Sequence, residues 1–364
     1  MAKASDFNDD TTREVMKKYG KVVRSGTTVF DESENLEVIP FTPALDLALG
    51  GGIKEGSWVI LTGDPKSGKT TTALQFAATC QSKEHGERPI VYINAEGRLK
   101  SMNLGGIKGL EKEKIKIVES EDEPISAEDY LDIVEKYVRA EPNCVVIIDS
   151  VSSLIPSREL MDEVSGQFRA GLPKILSNFT KRLGNVVPRQ KSIIIMITHF
   201  IANTTGYGKT KIADSGVKIR YQVDTHLEIK NTRPWEAGGK QIGQMVNWRV
   251  LCSSAGGFPG GEAQSWIKYG IGIDRTQEII NMALEFGLVS KAGSWYKCDF
   301  VLEEEKNLIN PSVSKLLSDN EVDSSNIESV TKFFKFQGQE RLYNFLEGNS
   351  FLMEILENDI REML

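Results

Sequence analysis

Apolar runs alternate with longer segments of helical periodicity between about residues 39 and 274. Four of these runs are apolar on both faces, which is typical of strands in a parallel sheet that helices cover on each side. The four predicted strands are residues 58–62, 89–94, 144–149 and 192–198. Two later segments, 223–230 and 245–251, alternate apolar and polar residues and predict added antiparallel strands with one solvated face.

The rest of the pattern predicts helices and divides the chain into three parts. Residues 11–19 predict a short helix that ends in lysines, and Ser126 can cap a helix with a single apolar stripe. From Arg275 onward, short helices and charged linkers dominate. We therefore predict an α/β protein whose mostly parallel sheet, flanked by helices, carries an antiparallel extension. The predicted parts are an N-terminal helix and arm at 1–38, a core at 39–274 and a small C-terminal α/β domain at 275–364.

The composition is that of an ordinary globular protein, with 40% hydrophobic and 26% charged residues over 364 positions. The net charge of −7 excludes a histone-like binder, so a nucleic acid must meet a local basic patch. The four cysteines are scattered without a CxxC pair, which favours buried free thiols in a reducing compartment. The sequence has neither an apolar leader nor an apolar run near the roughly 20 residues of a membrane span, so we expect a cytoplasmic protein.

Residues 63–70, with the sequence GDPKSGKT, match the motif GxxxxGK[ST] between a predicted strand and a predicted helix at 71–80. The loop N–H groups and the helix N-terminus can stabilise a phosphate, Lys69 can reach the β- and γ-phosphates, and the Thr70 hydroxyl can hold Mg²⁺. The alternative, an ordinary glycine-rich turn, is disfavoured because strand, loop, lysine and helix occur in register. The predicted contacts to ATP are Gly63, Asp64, Pro65, Lys66, Ser67, Gly68, Lys69, Thr70 and Thr71.

Three polar residues follow other predicted strands and should face the same nucleotide, because parallel strands deliver their carboxyl ends to one crevice. Asp149 ends the strand 144–149 and is a candidate second contact for Mg²⁺ beside Thr70; alone, it could be a strand-end cap. Glu96 is a candidate general base for the attacking water. His199 is a candidate hydrogen-bonding partner of the γ-phosphate, and its alternative is a structural histidine.

Six segments together resemble the RecA family of strand-exchange recombinases over nearly the whole chain. They include INAE at 93–96, which is similar to the segment with the family's catalytic glutamate, and IIDSV at 147–151, which is similar to its Mg²⁺ aspartate strand. ITH at 197–199 stands where the family senses the γ-phosphate, in a form similar to that of phage recombinases of the UvsX type. The other segments are TPALDLALGGG at 42–52, the phosphate loop at 63–71, and LEFGLVSKAGSWY at 284–296.

The resemblance implies an ATP-dependent helical filament on single-stranded DNA, which pairs that strand with a homologous duplex. It implies that the N-terminal arm docks on the next subunit and that loops at 156–168 and 201–219 contact DNA. The second loop is rich in glycine and small polar residues and also carries three lysines, so its backbone amides and cations could bind phosphates without reading bases; the alternative is a flexible solvated loop. The residues assigned to DNA are Ser177, Lys181, Lys209, Lys211, Ser215, Gly216, Lys218 and Arg220.

Two features depart from the family. Tyr269 and Gly270 match the family's adenine-stacking segment, but Lys100 and Asn103 replace its other adenine contacts. The family's lysine pair at the subunit interface has no counterpart in residues 250–259, where Cys252 and Ser254 stand. The missing charge is predicted to come from a monovalent cation or from a basic residue of the neighbour, with Lys230, Arg249 and Lys268 as candidates.

The resulting hypothesis is a DNA-dependent ATPase that acts as a recombinase in a bacterial or phage-infected cytoplasm, associated with the nucleoid. Its predicted partners are single-stranded DNA, homologous duplex DNA, further copies of itself, a single-strand-binding protein and a loading mediator, but no membrane. Two alternatives stay open at this stage. One is a hexameric helicase with the same core fold, and the other is a regulatory ATP-binding scaffold that never touches DNA.

Overall fold

The computed structural model describes residues 9–20, 22–99, 106–161, 171–202, 211–213, 219, 222–302 and 305–363. In these ranges the α-helices are α1 Asp10–Tyr19, α2 Gly26–Glu34, α3 Pro43–Leu49, α4 Lys69–Cys80, α5 Ala127–Ala140, α6 Ser157–Met161, α7 Leu172–Leu183, α8 Val186–Gln190, α9 Arg275–Glu285, α10 Asp299–Leu302, α11 Glu305–Leu308, α12 Pro311–Asp319, α13 Ile327–Phe333, α14 Gln339–Gly348 and α15 Ser350–Glu362. Short 3₁₀ turns lie at Lys83–His85, Lys112–Lys114 and Val151–Ser153.

The strands in the same ranges are β1 Val38–Ile39, β2 Ile53–Lys54, β3 Trp58–Gly63, β4 Ile90–Asn94, β5 Ile115–Val118, β6 Val145–Asp149, β7 Ile193–Ala202, β8 Lys211–Ala213, β9 Thr225–Ala237, β10 Lys240–Cys252, β11 Glu262–Lys268, β12 Gly272–Ile273, β13 Ser290–Ala292, β14 Trp295–Lys297 and β15 Lys335–Gln337. Nine of them follow one another across the main sheet in the order β12-β11-β10-β9-β3-β7-β6-β4-β5, and β8 pairs with β7. The strands β13, β14 and β15 form a small sheet in the C-terminal part.

The centre of the main sheet is parallel, from β9 through β3, β7, β6 and β4 to β5. Its other end is antiparallel, through β10, β11 and β12. The predicted α/β fold with an antiparallel extension is therefore confirmed. One part of that prediction was wrong, because the segment at 223–230 pairs in parallel with β3 as well as antiparallel with β10. The first residues of β9, from Thr225 to Leu227, are buried on both faces, and only the later part of the strand has the solvated face that its alternation predicts.

Apolar residues on both faces of the central strands are explained by two separate hydrophobic clusters. Val59 and Leu61 of β3 pack into a cluster with α4, whereas Trp58 and Ile60 pack into a cluster with α5 and α7. A third cluster joins the C-terminal helices and also takes in Ala44 of α3. The proposed boundary at residue 274 therefore lies where the C-terminal part packs closely on the core.

Cysteine burial matches the sequence-based expectation. All four cysteines are free thiols, and Cys80, Cys144 and Cys298 are buried. In the described part of the chain, no helix has the length and apolar character that crossing a membrane requires.

A buried ion-pair network ties the end of the N-terminal arm to the core. Arg88, only 4% exposed, contacts Glu37 of the arm at 2.8 Å and Glu55 of the core at 2.6 Å. Lys191 lies 2.7 Å from the other oxygen of Glu55. Burial alone would raise the pKa of Glu55, but hydrogen bonds from Arg88 and Lys191 outweigh burial and lower it. The pKa of Glu37 is lowered in the same way, by His85 and Arg88 against burial.

We expect Arg88→Ala to lower the free energy of unfolding by about 3 kcal/mol, because Glu55 would keep Lys191 and the Glu37 backbone N–H on one oxygen but would lose the guanidinium partner of the other. Since both glutamates have lowered pKa values when folded, their contribution is present above the unfolded pKa and is lost as the pH falls through the folded values. The variant should therefore lose less stability than the wild type on acidification below about pH 4.5. Urea titrations at several pH values measure both effects.

Arg182 provides the matched control, since it also contacts two carboxylates, Asp132 and Glu135, but is 60% exposed. Arg182→Ala should cost less than about 1 kcal/mol, because Arg182 itself is solvent-exposed and the buried Glu135 keeps Arg139 as an ion-pair partner at 2.8 Å. Equal losses in the two variants would contradict the role given to the buried network.

Candidate nucleotide-binding site

The phosphate loop leaves β3 at Gly63 and enters α4 at Lys69, as the sequence predicted. Helix α4 has no side-chain cap, so the N–H groups of its first turn remain available to an anion. Gly68 has φ +101°, and a Cβ atom there would lie 2.3 Å from Cδ1 of Ile267. Only glycine fits at this point, because the loop runs directly beneath β11.

Lys69 is buried and folds back over the loop, where its Nζ donates to the carbonyl oxygens of Gly63 at 2.9 Å and Asp64 at 2.8 Å. Burial lowers the pKa of Lys69 to about 8, although the nearby carboxylates of Asp149 and Glu96 oppose that shift. The ammonium group thus sits at the base of the loop and can exchange two neutral acceptors for phosphate oxygens.

Thr70 and Asp149 meet as the sequence predicted, with the Thr70 hydroxyl donating to Asp149 Oδ2 over 2.6 Å. The same oxygen accepts a second hydrogen bond, of 2.5 Å, from the Tyr92 hydroxyl. The other oxygen, Oδ1, is buried and has no hydrogen-bond partner among the described residues. A hydroxyl beside a carboxylate oxygen that lacks a partner suits Mg²⁺, which takes few protein ligands and keeps waters and phosphates as the others.

Glu96 and His199 lie beside each other at the same edge of the sheet, with 3.6 Å between His199 Nε2 and Glu96 Oε2. Both ring nitrogens of His199 are buried and lack hydrogen-bond partners among the described residues. Burial, then the charge of Lys69, lowers the pKa of His199, although Glu96 opposes this. The imidazole is therefore neutral near pH 7 and can both donate and accept a hydrogen bond.

A cleft of about 660 Å³ contains these groups. Loop residues 65–71 form its floor together with Glu96, Asp149 and His199, and Gln244, Ile267 and Tyr269 form the far wall. Tyr269 is 56% exposed, and its hydroxyl accepts a hydrogen bond from Gln241 at 2.8 Å; Gly270 follows it in a turn. The cleft has the size of an ordinary small-ligand site, and the exposed Tyr269 ring can stack on a base.

Sequence reasoning missed several residues of this cleft, among them Tyr92 and Arg98. Tyr92 shares a face of β4 with Asn94 by period-two alternation, which was the available signal. Arg98 lies 3.1 Å from the other Glu96 oxygen and is 76% exposed. It follows the strand in an irregular segment, where no periodicity reveals a side-chain direction.

Only some of the candidate DNA-binding residues lie in the described part of the chain. Ser177 is buried and Lys181 is exposed on α7. Lys211 begins β8, which pairs back onto the end of β7, so the segment at 201–219 is not a loop throughout. The segment at 156–168 likewise contains α6. Lys209, Ser215, Gly216, Lys218 and Arg220, and the adenine positions Lys100 and Asn103, lie outside the described residues.

At the predicted interface, Cys252 and Ser254 contact their own chain. The Cys252 thiol lies 3.8 Å from the carbonyl oxygen of Val223, and the hydroxyl oxygens of Ser254 and Ser57 are 3.3 Å apart. The three candidate cations are placed differently: Lys230 pairs with Glu262 at 2.6 Å, Lys268 lies over the Tyr343 ring, and Arg249 stands between Glu228 and Glu262 in the strand ladder.

Comparisons with known proteins agree with this geometry. Residues 8–274 match the family model described as the RecA N-terminal domain. The chain is 30% identical to a protein named Protein RecA from Oleidesulfovibrio alaskensis over 289 residues, which cover 78% of this chain and 79% of that protein. It is also 30% identical to proteins of the same name from Nitratidesulfovibrio vulgaris, covering 86% of each chain, and from Thermotoga sp. strain RQ2, covering 80% of this chain and 81% of that one. A family match over most of the chain and relatives of this coverage establish that the chain belongs to the RecA family of DNA strand-exchange recombinases.

Proposed function

We propose that the chain is a DNA-dependent ATPase that assembles on single-stranded DNA as a helical filament and pairs that strand with a homologous duplex. The observation that carries the proposal is the meeting of Lys69, the Thr70–Asp149 pair, Glu96 and His199 in one cleft. Each group comes from the end of a different strand or from the phosphate loop. Together they provide what phosphoryl transfer needs: phosphate contacts, a metal site and a group that orients water.

In this proposal ATP lies with its phosphates in the loop at 63–71 and its base beside Tyr269 and Gly270. Thr70 and Asp149 would hold Mg²⁺, which neutralises the charge that develops on the phosphates during transfer. Lys69 contacts the β- and γ-phosphates. His199, neutral and without a hydrogen-bond partner among the described residues, is available to the γ-phosphate.

Glu96 acts as the general base that orients and deprotonates the attacking water. Its two carboxylate oxygens lie near Arg98 and His199, so their contacts would change when the γ-phosphate arrives. The contact between Glu96 and His199 would connect the presence of the γ-phosphate with β7, because His199 lies on that strand. Strand β7 in turn leads into the proposed DNA-binding segment at 201–219.

Single-stranded DNA is proposed to bind along the segments at 156–168 and 201–219 and at the exposed Lys181 of α7, whereas the burial of Ser177 disfavours the direct contact predicted for it. The contacts go to phosphates, which lets one surface bind any sequence. The N-terminal arm is proposed to dock on the next subunit. Its exposed apolar side chains Tyr19, Val29 and Phe30 support this, since solvent exposure of such groups is relieved by a partner surface.

The wider setting is part of the same proposal. The chain would consist of an arm at 1–38, an ATPase core at 39–274 and a small C-terminal domain at 275–364. A single-strand-binding protein and a loading mediator would act with it in the cytoplasm, near the nucleoid.

The charge that the interface lacks is proposed to come from Arg98 of the same chain. Arg98 lines the cleft and contacts Glu96, whereas Cys252 and Ser254 contact their own chain and supply no charge. A guanidinium group at this position can meet phosphate oxygens with paired hydrogen bonds.

Electron microscopy with single-stranded DNA and an ATP analogue tests the function as a whole. The proposal requires filaments on DNA and ATP hydrolysis that DNA stimulates. Closed rings would favour a hexameric motor, and absence of DNA binding in gel shifts at several salt concentrations would favour a regulatory scaffold.

Glu96→Gln should keep nucleotide and DNA binding but lower the ATPase turnover by roughly 10²-fold, the usual contribution of a positioned base. Filaments formed with ATP should persist longer as a result. Steady-state ATPase assays and electron microscopy measure the two effects, with Glu113→Gln, an exposed glutamate, as the control. Unchanged hydrolysis would assign water activation to another carboxylate.

Arg98→Ala should lower the ATPase turnover by about tenfold or more, since a hydrogen bond between charged groups contributes roughly 1.5–3 kcal/mol. Arg98→Lys should recover part of the rate because it keeps the charge. Varying potassium at constant ionic strength separates this from an interfacial ion: with Arg98 as the source, the rate should stay flat. A rate that follows potassium, or a larger loss in Lys230→Ala, Arg249→Ala or Lys268→Ala, would place the charge elsewhere.

Neutralising Lys209, Lys211 and Lys218 together should weaken binding to single-stranded DNA equally for all sequences. The slope of log affinity against log salt should flatten by about 0.7 for each lost phosphate contact. Fluorescence anisotropy at several salt concentrations measures it, with the exposed Lys83, Lys108 and Lys112 changed together as a matched control. Equal slopes in both triple variants would move the DNA site to other residues.

A further inference from the structure

Tyr92 lies in the middle of β4, directly beneath the nucleotide cleft, and is 1% exposed. Its hydroxyl donates to Asp149 Oδ2 at 2.5 Å, the same oxygen that accepts from Thr70 at 2.6 Å. A phenol is protonated near neutral pH, so this hydroxyl is a hydrogen-bond donor to the carboxylate. Oδ2 of Asp149 thus accepts hydrogen bonds from both hydroxyl groups, whereas Oδ1 accepts none from the described residues.

The two oxygens of a carboxylate exchange places when the group rotates about its Cβ–Cγ bond. Two short hydrogen bonds to a single oxygen oppose that rotation, and hydrogen bonds to an ionised acceptor are the strong ones. With Thr70 alone, one bond would have to hold the group, and Thr70 is also the residue proposed to contact Mg²⁺. The Tyr92 hydroxyl is therefore the contact to Asp149 that does not depend on the metal or the nucleotide.

The core itself does not require a hydroxyl at this position. The Tyr92 ring belongs to the hydrophobic cluster on the α4 side of the sheet, where a phenylalanine ring would bury the same carbon atoms. A buried hydroxyl adds a desolvation cost that must be met by a partner. Here that partner is the candidate metal aspartate, so the hydroxyl serves the site rather than the packing.

We propose that Tyr92 is a positioning residue for the metal site: its hydroxyl holds the Asp149 carboxylate in the orientation that leaves Oδ1 for the hydrated Mg²⁺ of the nucleotide complex. The inference rests on the proposed function of the same cleft. Partners that orient a metal-binding group typically contribute 10- to 100-fold to metal affinity.

Tyr92→Phe is the test, because it removes one oxygen atom and keeps the ring. Binding of a fluorescent ATP analogue is measured at a series of Mg²⁺ concentrations, including none. We expect the Mg²⁺ concentration for half-maximal binding to rise roughly tenfold, with unchanged affinity for the metal-free nucleotide. At saturating Mg²⁺ the ATPase turnover should return close to that of the wild type.

Two controls separate positioning from structure. Tyr92→Phe should still unfold cooperatively without nucleotide, with a loss of stability no larger than one hydrogen bond explains. Tyr130→Phe, at a buried tyrosine of α5, should leave the Mg²⁺ dependence unchanged. An unchanged Mg²⁺ dependence in Tyr92→Phe would overturn the inference alone. If Tyr92→Phe lost stability and metal-free nucleotide binding to the same extent as Mg²⁺-dependent binding, the effect would be structural, and this result would also overturn the inference. A wild-type chain without Mg²⁺-dependent nucleotide binding would overturn the proposed function and this inference with it.

Discussion

The register of four parallel strands is the constraint on which the candidate site depends. Gly63 at the end of β3 lies opposite His199 of β7, and Asn94 at the end of β4 lies opposite Asp149 of β6. Because side chains alternate between the faces of a sheet, a slip of one residue would carry Asp149 away from Thr70. The apolar clusters on both faces of these strands prevent such a slip, since every core side chain would have to change sides. Packing far from the cleft therefore sets the geometry inside it.

The charged side chains in the cleft have polar or charged partners within the same chain. Lys69 is satisfied by two carbonyl oxygens of its own loop, and Glu96 lies near Arg98 and His199. These internal contacts lower the cost of keeping several charges in a partly buried site.

The end of the proposed arm is joined to the core by a buried charge network as well as by backbone pairing between β1 and β2. Glu37 near the end of the arm meets Arg88, which also meets Glu55, so one buried guanidinium group bridges the two parts. Such a bridge fixes direction as well as position, because the hydrogen bonds of arginine lie in one plane. Further out, α1 and α2 contain no buried residues and stay available to other surfaces.

The sequence alone determined the fold class and the main groups of the site, because both depend on short local patterns. Apolar runs predicted β3, β4 and β6 to within one residue at either end and β7 without its last four residues. The phosphate loop was recognisable from the spacing of glycine, lysine and threonine. The sequence did not single out Tyr92 or Arg98. Tyr92 matters through its hydrogen bond to Asp149, which is 57 positions later in the chain, and Arg98 through its ion pair with Glu96, 2 positions earlier. Periodicity reveals neither contact. The parallel pairing of β9 escaped for a related reason. Which strands pair depends on how the two faces of the sheet are buried, and only the tertiary structure shows which faces are buried.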